Sequence, residues 1–536
     1  MSELQTEGSS ISSKREFWTL IVILVIAFAL RLSVYSGFVD GDDSAYISWS
    51  VQVAEQGEMS EGAHHWSRRI AVYYPVAALF ALFGKSLVWA AAVPLFWSMC
   101  SIVLIYLTGK TVYEDARIAL LGAALMAVFP LDVIMATQLF PAMGMAALTS
   151  AAFLAFYQAE KKDSKLLYAA AGLALGLAYM HRATALYMFL PLGIYLLYRR
   201  RWRWGYLSIG VGLAIAVTIE SLAFWAALDD PFNRFKWITS YTTRPAADLT
   251  FSEPRPGGRY LAPFFTFSTE QEFGLFYFFI TWATVTLLVK KDKASWPLIL
   301  FFVTVALYSL WGTVSLRGYR NAAPWPRYLT MFSMPAILLL ARWFMVCLGQ
   351  TWRRGLLAVL VLSSLICVYL DSSRTHTSIG DNLLSYHGEI DGKKFVMEER
   401  AYLFHYFANG FEHPENVEVV AFLPKNAKEH DKRRAGDRAK VLTPSMPIHT
   451  DHTELADCLV AIADNRETPM PENWKKVGEV WRDHRWFAEP MREAGKLTKF
   501  LADKLSPHQG FIIYEVPPKS ASSEPSEGEA DSSANP

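Results

Sequence analysis

Three acids fall within four residues at Asp40-Gly41-Asp42-Asp43, and Tyr46 lies one helical turn beyond Asp42. Carboxylates this close can act as a general base toward an incoming hydroxyl or as ligands of a divalent cation such as Mg or Mn. They also suit a helix start, because residues 44–54 can form a short amphipathic helix whose cap and dipole favour Asp42 or Asp43. One cap needs fewer acids than are present, so base, cation ligand and cap all stay open. Cations form a second set: Arg68, Arg69, Arg182, Arg317, Arg320 and Arg327, the last followed by Tyr328. Glu220 sits inside an apolar run, a costly position unless it is paired or faces a wet cavity. His64, His65 and His181 could carry protons or hold a metal, but adjacent histidines do not readily turn both rings to one ion, and they read as ordinary surface histidines.

These groups must be positioned by a largely apolar chain. Of 536 residues, 52% are hydrophobic and 19% charged, below the quarter usual for soluble domains. Up to about residue 370 the sequence is a succession of apolar runs; afterwards charge, Pro, Asn and His become common, which marks the main domain boundary. The formal net charge of +1 gives no field for nucleic acid. Cys100, Cys347 and Cys367 lie in apolar runs and Cys458 stands apart, so no disulfide framework is expected. Eleven runs approach the ~20 residues that cross a hydrocarbon core: 17–35, 87–107, 118–137, 144–157, 166–180, 183–197, 206–227, 273–289, 296–314, 328–346 and 356–370. The first is too long for a signal peptide, lacks a cleavage pattern and reads as a retained anchor. With residues 1–16 cytoplasmic, every inside link is basic, through Lys110 and Arg117, Lys161 to Lys165, Arg199 to Arg203, Lys290 to Lys293, and Arg353 with Arg354. This requires that residues 72–83, which hold Pro75 and end at Gly84, lie on the outer surface without crossing. The acids, these arginines and residues 371–536 then share the extracytoplasmic side.

The Asp-Asp-x-x-Tyr element at Asp42-Asp43-Ser44-Ala45-Tyr46, followed by the amphipathic stretch 68–86, resembles the type C membrane glycosyltransferases. The relatives in view are the protein O-mannosyltransferase and lipid A aminoarabinose transferase family. Two further stretches carry the likeness: the Gly-Leu-rich run 172–182 ending in His181-Arg182, and Pro326-Arg327-Tyr328-Leu329 at the entry of a late helix. The resemblance spans most of residues 17–370. It implies a polyprenyl-phosphate-linked sugar as donor, an acceptor hydroxyl on a protein, lipid or glycan, and transfer with inversion at the extracytoplasmic face of a cell (inner or plasma) membrane. It further implies Asp42 as base, Asp43 orienting acceptor or metal, and Arg327, Arg320 and Arg182 on the donor phosphate, which a planar guanidinium binds in pairs. Asp40, Tyr46, Arg68, Arg69, Tyr328 and Glu220 are the secondary candidates, with headgroup snorkelling the competing role for Arg68, Arg69 and Arg317. One departure stands out: members carry an acid after the proline where this chain reads Pro141-Ala142, and Asp132 is the nearest stand-in.

Gly172 and Gly176 form a GxxxG-type pair suited to close helix packing. The outer segment 231–272, with Arg255, Arg259 and Tyr260, is rich in Pro and Gly, argues against regular structure and has the length of a lid or binding loop. Residues 371–518 alternate helices with strand-like runs at 394–397, 417–423, 458–462, 478–481 and 510–516, the pattern of a small α/β domain. Residues 519–536 have the composition of a disordered tail. The chain is therefore expected to be an α-helical polytopic membrane protein with an extracytoplasmic α/β domain. A transporter of a solute or lipid-linked sugar is the competing class; no matching broken-helix halves support it. A receptor-like protein is the third, and it would not need Asp42.

Overall fold

The computed structural model describes residues 13–35, 37, 42–59, 65–200, 203–243, 273–312, 326–372, 377–390, 394–413, 416–420, 448–449, 455–463, 473–481 and 510–518. Its contacts divide the chain into two compact units, Met1–Thr375 and His376–Pro536.

The first unit is helical: α1 (Ser13–Ser33), α2 (Asp42–Gln56), α3 (Ile70–Phe83), α4 (Leu87–Tyr113), α5 (Ala116–Ala127), α6 (Pro130–Met135), α7 (Pro141–Lys162), α8 (Lys165–His181), α9 (Phe189–Arg199), α10 (Leu207–Leu228), α11 (Asn233–Thr243), α12 (Phe276–Val289), α13 (Trp296–Trp311), α14 (Ser333–Cys347) and α15 (Gln350–Ser372). Among the described residues, six helical stretches are long and apolar enough to cross a membrane, and five shorter apolar helices accompany them. Helices suit this setting because they satisfy their backbone polar groups internally where no water can. Large apolar side chains such as Trp18, Val25, Val211, Trp225 and Leu362 point outward, as a lipid-facing surface requires.

The expected single span over 118–137 is broken into α5 and α6. Pro130 supplies no backbone N–H and holds the preceding Phe129 out of helical geometry, so the chain restarts at Pro130. Likewise the run from residue 183 begins as a 3-10 turn, Ala183–Met188, before α9. The segment 231–272 is not wholly irregular, since α11 occupies its first part; Arg255, Arg259 and Tyr260 lie outside the described residues.

The core centres on α14, where Met334 and Ala336 to Ala341 are all buried, packed with α4, α5, α12 and α13. Helices α8 and α10 approach so closely that a Cβ at Gly172 would meet the Ile209 carbonyl and one at Gly212 the Ala169 carbonyl. Gly172 and Gly176 thus serve helix packing. In α3 the buried residues Ile70, Tyr73, Val76, Ala77 and Phe80 recur at helical spacing, and its 14 residues fall short of a span.

The links expected on one side of the membrane bind one another. Lys110 pairs with Glu16 at 2.6 Å, Lys161 with Glu114 at 2.8 Å, Arg203 with Asp163 at 3.4 Å and Arg342 with Asp292 at 3.1 Å. The ends of α1, α4, α7, α14 and their links therefore meet at one end of the bundle.

The second unit contains α16 (Thr377–Gly388), α17 (Glu399–Ala408) and six strands: β1 (Phe395–Glu398), β2 (Val417–Val420), β3 (Ile448–His449), β4 (Cys458–Ala463), β5 (Lys475–Trp481) and β6 (Gly510–Val516). The sheet order is β3-β2-β1-β4-β6-β5. Strand β1 pairs in parallel with β2 (Phe395 opposite Val417) and with β4 (Phe395 opposite Leu459), whereas β6 runs antiparallel between β4 and β5. Val396, Val420, Val460 and Val516 bury one core of this sheet. Of the strands, β3 was not expected, since two residues carry no periodicity to read.

Candidate active site

Helix α2 begins at the acids, with Asp42 and Asp43 both in its first turn, where the unpaired N–H groups and the dipole favour negative charge. The two are not equivalent. The Asp43 side chain is wholly buried and accepts from the Ser44 N–H at 2.9 Å. Asp42 keeps a partly open side chain, and its Oδ2 lies 2.9 Å from an Nη of Arg327. Asp40 and Arg320 lie outside the described residues.

Arg327 stands at the start of the 3-10 turn Pro326–Phe332 that leads into α14. Its guanidinium lies 4.8 Å from the Phe140 ring centre and 5.8 Å from that of Tyr328. The Tyr328 ring in turn carries the Arg182 guanidinium at 3.4 Å from its centre. Such cation–π contacts are worth ~2 kcal/mol when shielded from water, so two tyrosine and phenylalanine faces hold two cations that would otherwise repel. Arg182 is buried at the end of α8; burial lowers its pKa, Tyr328 opposes this, and Arg69 and Arg327 add to it through like charge.

Arg69 immediately precedes α3 and donates to the Tyr46 hydroxyl at 2.6 Å. Tyr46 is fully buried; burial raises its pKa, Arg69 and Arg182 pull it down and Asp42 pushes it up. The phenol is therefore a protonated group enclosed by one acid and two cations. Around it, Ser50 bonds the carbonyls of Tyr46 and Tyr73, and Tyr73 donates to the Ser67 carbonyl at 2.8 Å. These bonds lock α2 to the turn that carries Arg68 and Arg69.

The structure thus gathers Asp42, Tyr46, Arg69, Arg182, Arg327 and Tyr328 from four separate stretches of chain. A partly open carboxylate can accept a proton while the guanidiniums beside it bind an anion at the same place. Arg68 is buried at the same turn. Among the described residues no group of three or more His, Cys, Asp or Glu side chains forms a metal site. Asp42 rests on Arg327 and Asp43 is turned inward.

Two candidates belong elsewhere. Glu220 forms a buried ion pair with Arg234, so its charge is already neutralised within the protein. Asp132 cannot stand in for the acid missing after Pro141. It is buried on Arg31 and Ser98, and Arg31 spends its remaining donors on Ser98 and on the carbonyls of Ala27, Met126 and Ala127. His181 is not the surface histidine expected, because the end of α8 packs inward: it is buried against Trp97 and Gly144. Arg234 is the residue that carries no sequence motif; the signal that could have found it is Glu220, because an acid in an apolar helix demands a cation nearby.

Residues 68–224 match the family described as dolichyl-phosphate-mannose-protein mannosyltransferase. Among solved structures, ArnT from Cupriavidus metallidurans in the apo state aligns with a TM-score of 0.55 at 11% identity, over 94% of this chain and 98% of ArnT. The same protein bound to undecaprenyl phosphate gives 0.53 at 13% identity over the same shares. The Archaeoglobus fulgidus oligosaccharyltransferase in complex with Zn and sulfate gives 0.50 at 13% identity, over 83% of this chain and 67% of that one. No curated protein matches the sequence. The resemblance read from the sequence is borne out: the chain has the fold of these type C membrane proteins, with multiple apolar helices and an α/β unit. The match at 68–224 includes Arg68, Arg69, Arg182 and Glu220 but neither Asp42 nor Arg327.

Proposed function

We propose that this protein is a membrane glycosyltransferase that moves a sugar from a polyprenyl-phosphate donor to a hydroxyl of a protein, lipid or glycan, with inversion. The observation that carries the reading is the Asp42–Arg327 contact of 2.9 Å, set among Arg69 and Arg182. It supports reading Asp42 as a proton acceptor beside an anion clamp.

In this mechanism the Asp42 carboxylate takes the acceptor's hydroxyl proton as that oxygen bonds to the anomeric carbon. The bond from this carbon to the phosphate oxygen breaks on the opposite face, and polyprenyl phosphate leaves with the electron pair. Arg327 and Arg182, with Arg320 by family resemblance, stabilise that growing charge; donors aimed at a developing anion act most strongly where water is excluded. Attack and departure on opposite faces invert the anomeric centre. Tyr46, fully buried, keeps its proton and holds Arg69 in place, and Asp43 fixes the start of α2 from beneath. The site and the α/β unit are assigned to the extracytoplasmic side of a cell (inner or plasma) membrane, with the N-terminus cytoplasmic, from the basic links.

The test is turnover with a polyprenyl-phosphate sugar by the purified full-length chain. Release of polyprenyl phosphate with sugar on an acceptor is expected, and Asp42→Asn should remove ~10²–10⁴-fold of the rate at equal expression. Solute flux without bond cleavage would make the protein a transporter instead.

A further inference from the structure

We propose that Arg234, anchored by Glu220, is a positioning residue that ties the end of α8 to the Arg68-Arg69 turn and so fixes the place of Arg182 in the donor-phosphate clamp. This rests on the proposed function, since the clamp is the site assigned there.

The last four carbonyls of a helix have no partner within it. At the end of α8, the Ala178 carbonyl is taken by the Arg182 N–H at 3.0 Å. The next two, of Tyr179 and Met180, are taken by the Arg234 guanidinium, the latter at 2.9 Å. A cation there also complements the negative end of the helix dipole. The same Nη1, its two hydrogens shared among its acceptors, also reaches the Arg68 carbonyl at 3.1 Å. One planar group therefore ties the peptide just before Arg69 to the peptides just before Arg182. Glu220 of α10 binds this Nη1 as well, and the Tyr179 ring covers the guanidinium at 4.4 Å. Both Arg234 Nη groups are engaged by Arg68, Tyr179, Met180 and Glu220, so its hydrogen bonds serve the fold and not a substrate. It acts through the two arginines whose backbones it joins. A lysine would keep the charge opposite Glu220 but not the rigid fork that reaches both segments.

The experiment measures equilibrium binding of undecaprenyl phosphate and the thermal midpoint of the full-length protein, for Arg234→Lys, Arg182→Lys and the double variant. Each single change should weaken binding roughly tenfold or more, as expected when a charged group is displaced by about an ångström, with midpoints near the parent's. The double variant should bind no more weakly than Arg182→Lys, because coupled residues do not add. Weakened binding by Arg182→Lys but not by Arg234→Lys overturns the inference and leaves the clamp standing. Additive losses also overturn it, since the two residues would then act independently. Unchanged binding by both overturns the clamp itself. If Arg234→Lys does not accumulate, Glu220→Gln, which removes the anchor, is read in the same way.

Discussion

At the scale of single residues, the two neighbouring acids differ because the helix turns them in different directions. Asp42 faces Arg327 and Asp43 faces inward, a distinction that sequence spacing cannot make. Arg327→Lys keeps a positive charge near Asp42 but loses the bidentate fork, so kcat/KM for the donor should fall by roughly 10²-fold; steady-state kinetics at varied donor concentration checks this. In the α/β unit, His405 shares a 3.0 Å contact with His387, and burial, with His387 adding, pushes its pKa down to about 4. The unfolded chain then binds more protons than the folded one below the ordinary histidine value. Stability is full above about pH 6.5 and is lost as pH falls toward 4. The thermal midpoint of the full-length protein should therefore drop between pH 7 and pH 5, and His405→Asn should flatten that slope. An equal slope in the variant would assign the pH effect to other groups.

At the scale of elements, the glycines of α8 and α10 set how closely two helices approach, and Arg234 of α11 bonds both Glu220 of α10 and the last carbonyls of α8. Gly212→Leu would drive a side chain into the Ala169 carbonyl. Overpacking of this kind costs ~1–3 kcal/mol or more, so folded yield and thermal midpoint should both fall. At Gly210 on the same helix an added Cβ would meet nothing within 4 Å; Gly210→Ala should be neutral or slightly stabilising, since glycine is ~1 kcal/mol poorer than alanine in a helix. Comparing the two by thermal unfolding separates packing from propensity. The spans over 144–157 and 206–227 were legible because their apolar runs are long, and they are seen as α7 and α10. The break at Pro130 was present in the sequence but hidden by the uniform hydropathy on either side.

At the scale of the whole molecule, the charged links pair with one another at one end of the bundle, while Asp42, Arg69, Arg182 and Arg327 gather apart from them. A membrane-impermeant thiol reagent applied to intact cells should label Asn233→Cys, at the start of α11, and leave Asp163→Cys unlabelled. The reverse pattern would invert the proposed orientation. The lipid-facing surface needs no such test to be recognised, since apolar side chains cover it where a soluble protein would carry charge.

Hydropathy and charge order along the chain determined by themselves that helices would dominate, roughly where they would lie, and which links would share a side, because these depend on local solvation of each segment. The strands of the α/β unit were legible for the same reason, from short β-branched runs at 417–420, 458–463 and 510–516. Only the tertiary structure decided that Glu220 belongs to Arg234, that Asp132 belongs to Arg31, and that Asp42 meets Arg327. Ion pairs between distant segments depend on which helices pack together, and that is set by shape and close approach across the whole bundle rather than by any stretch of sequence.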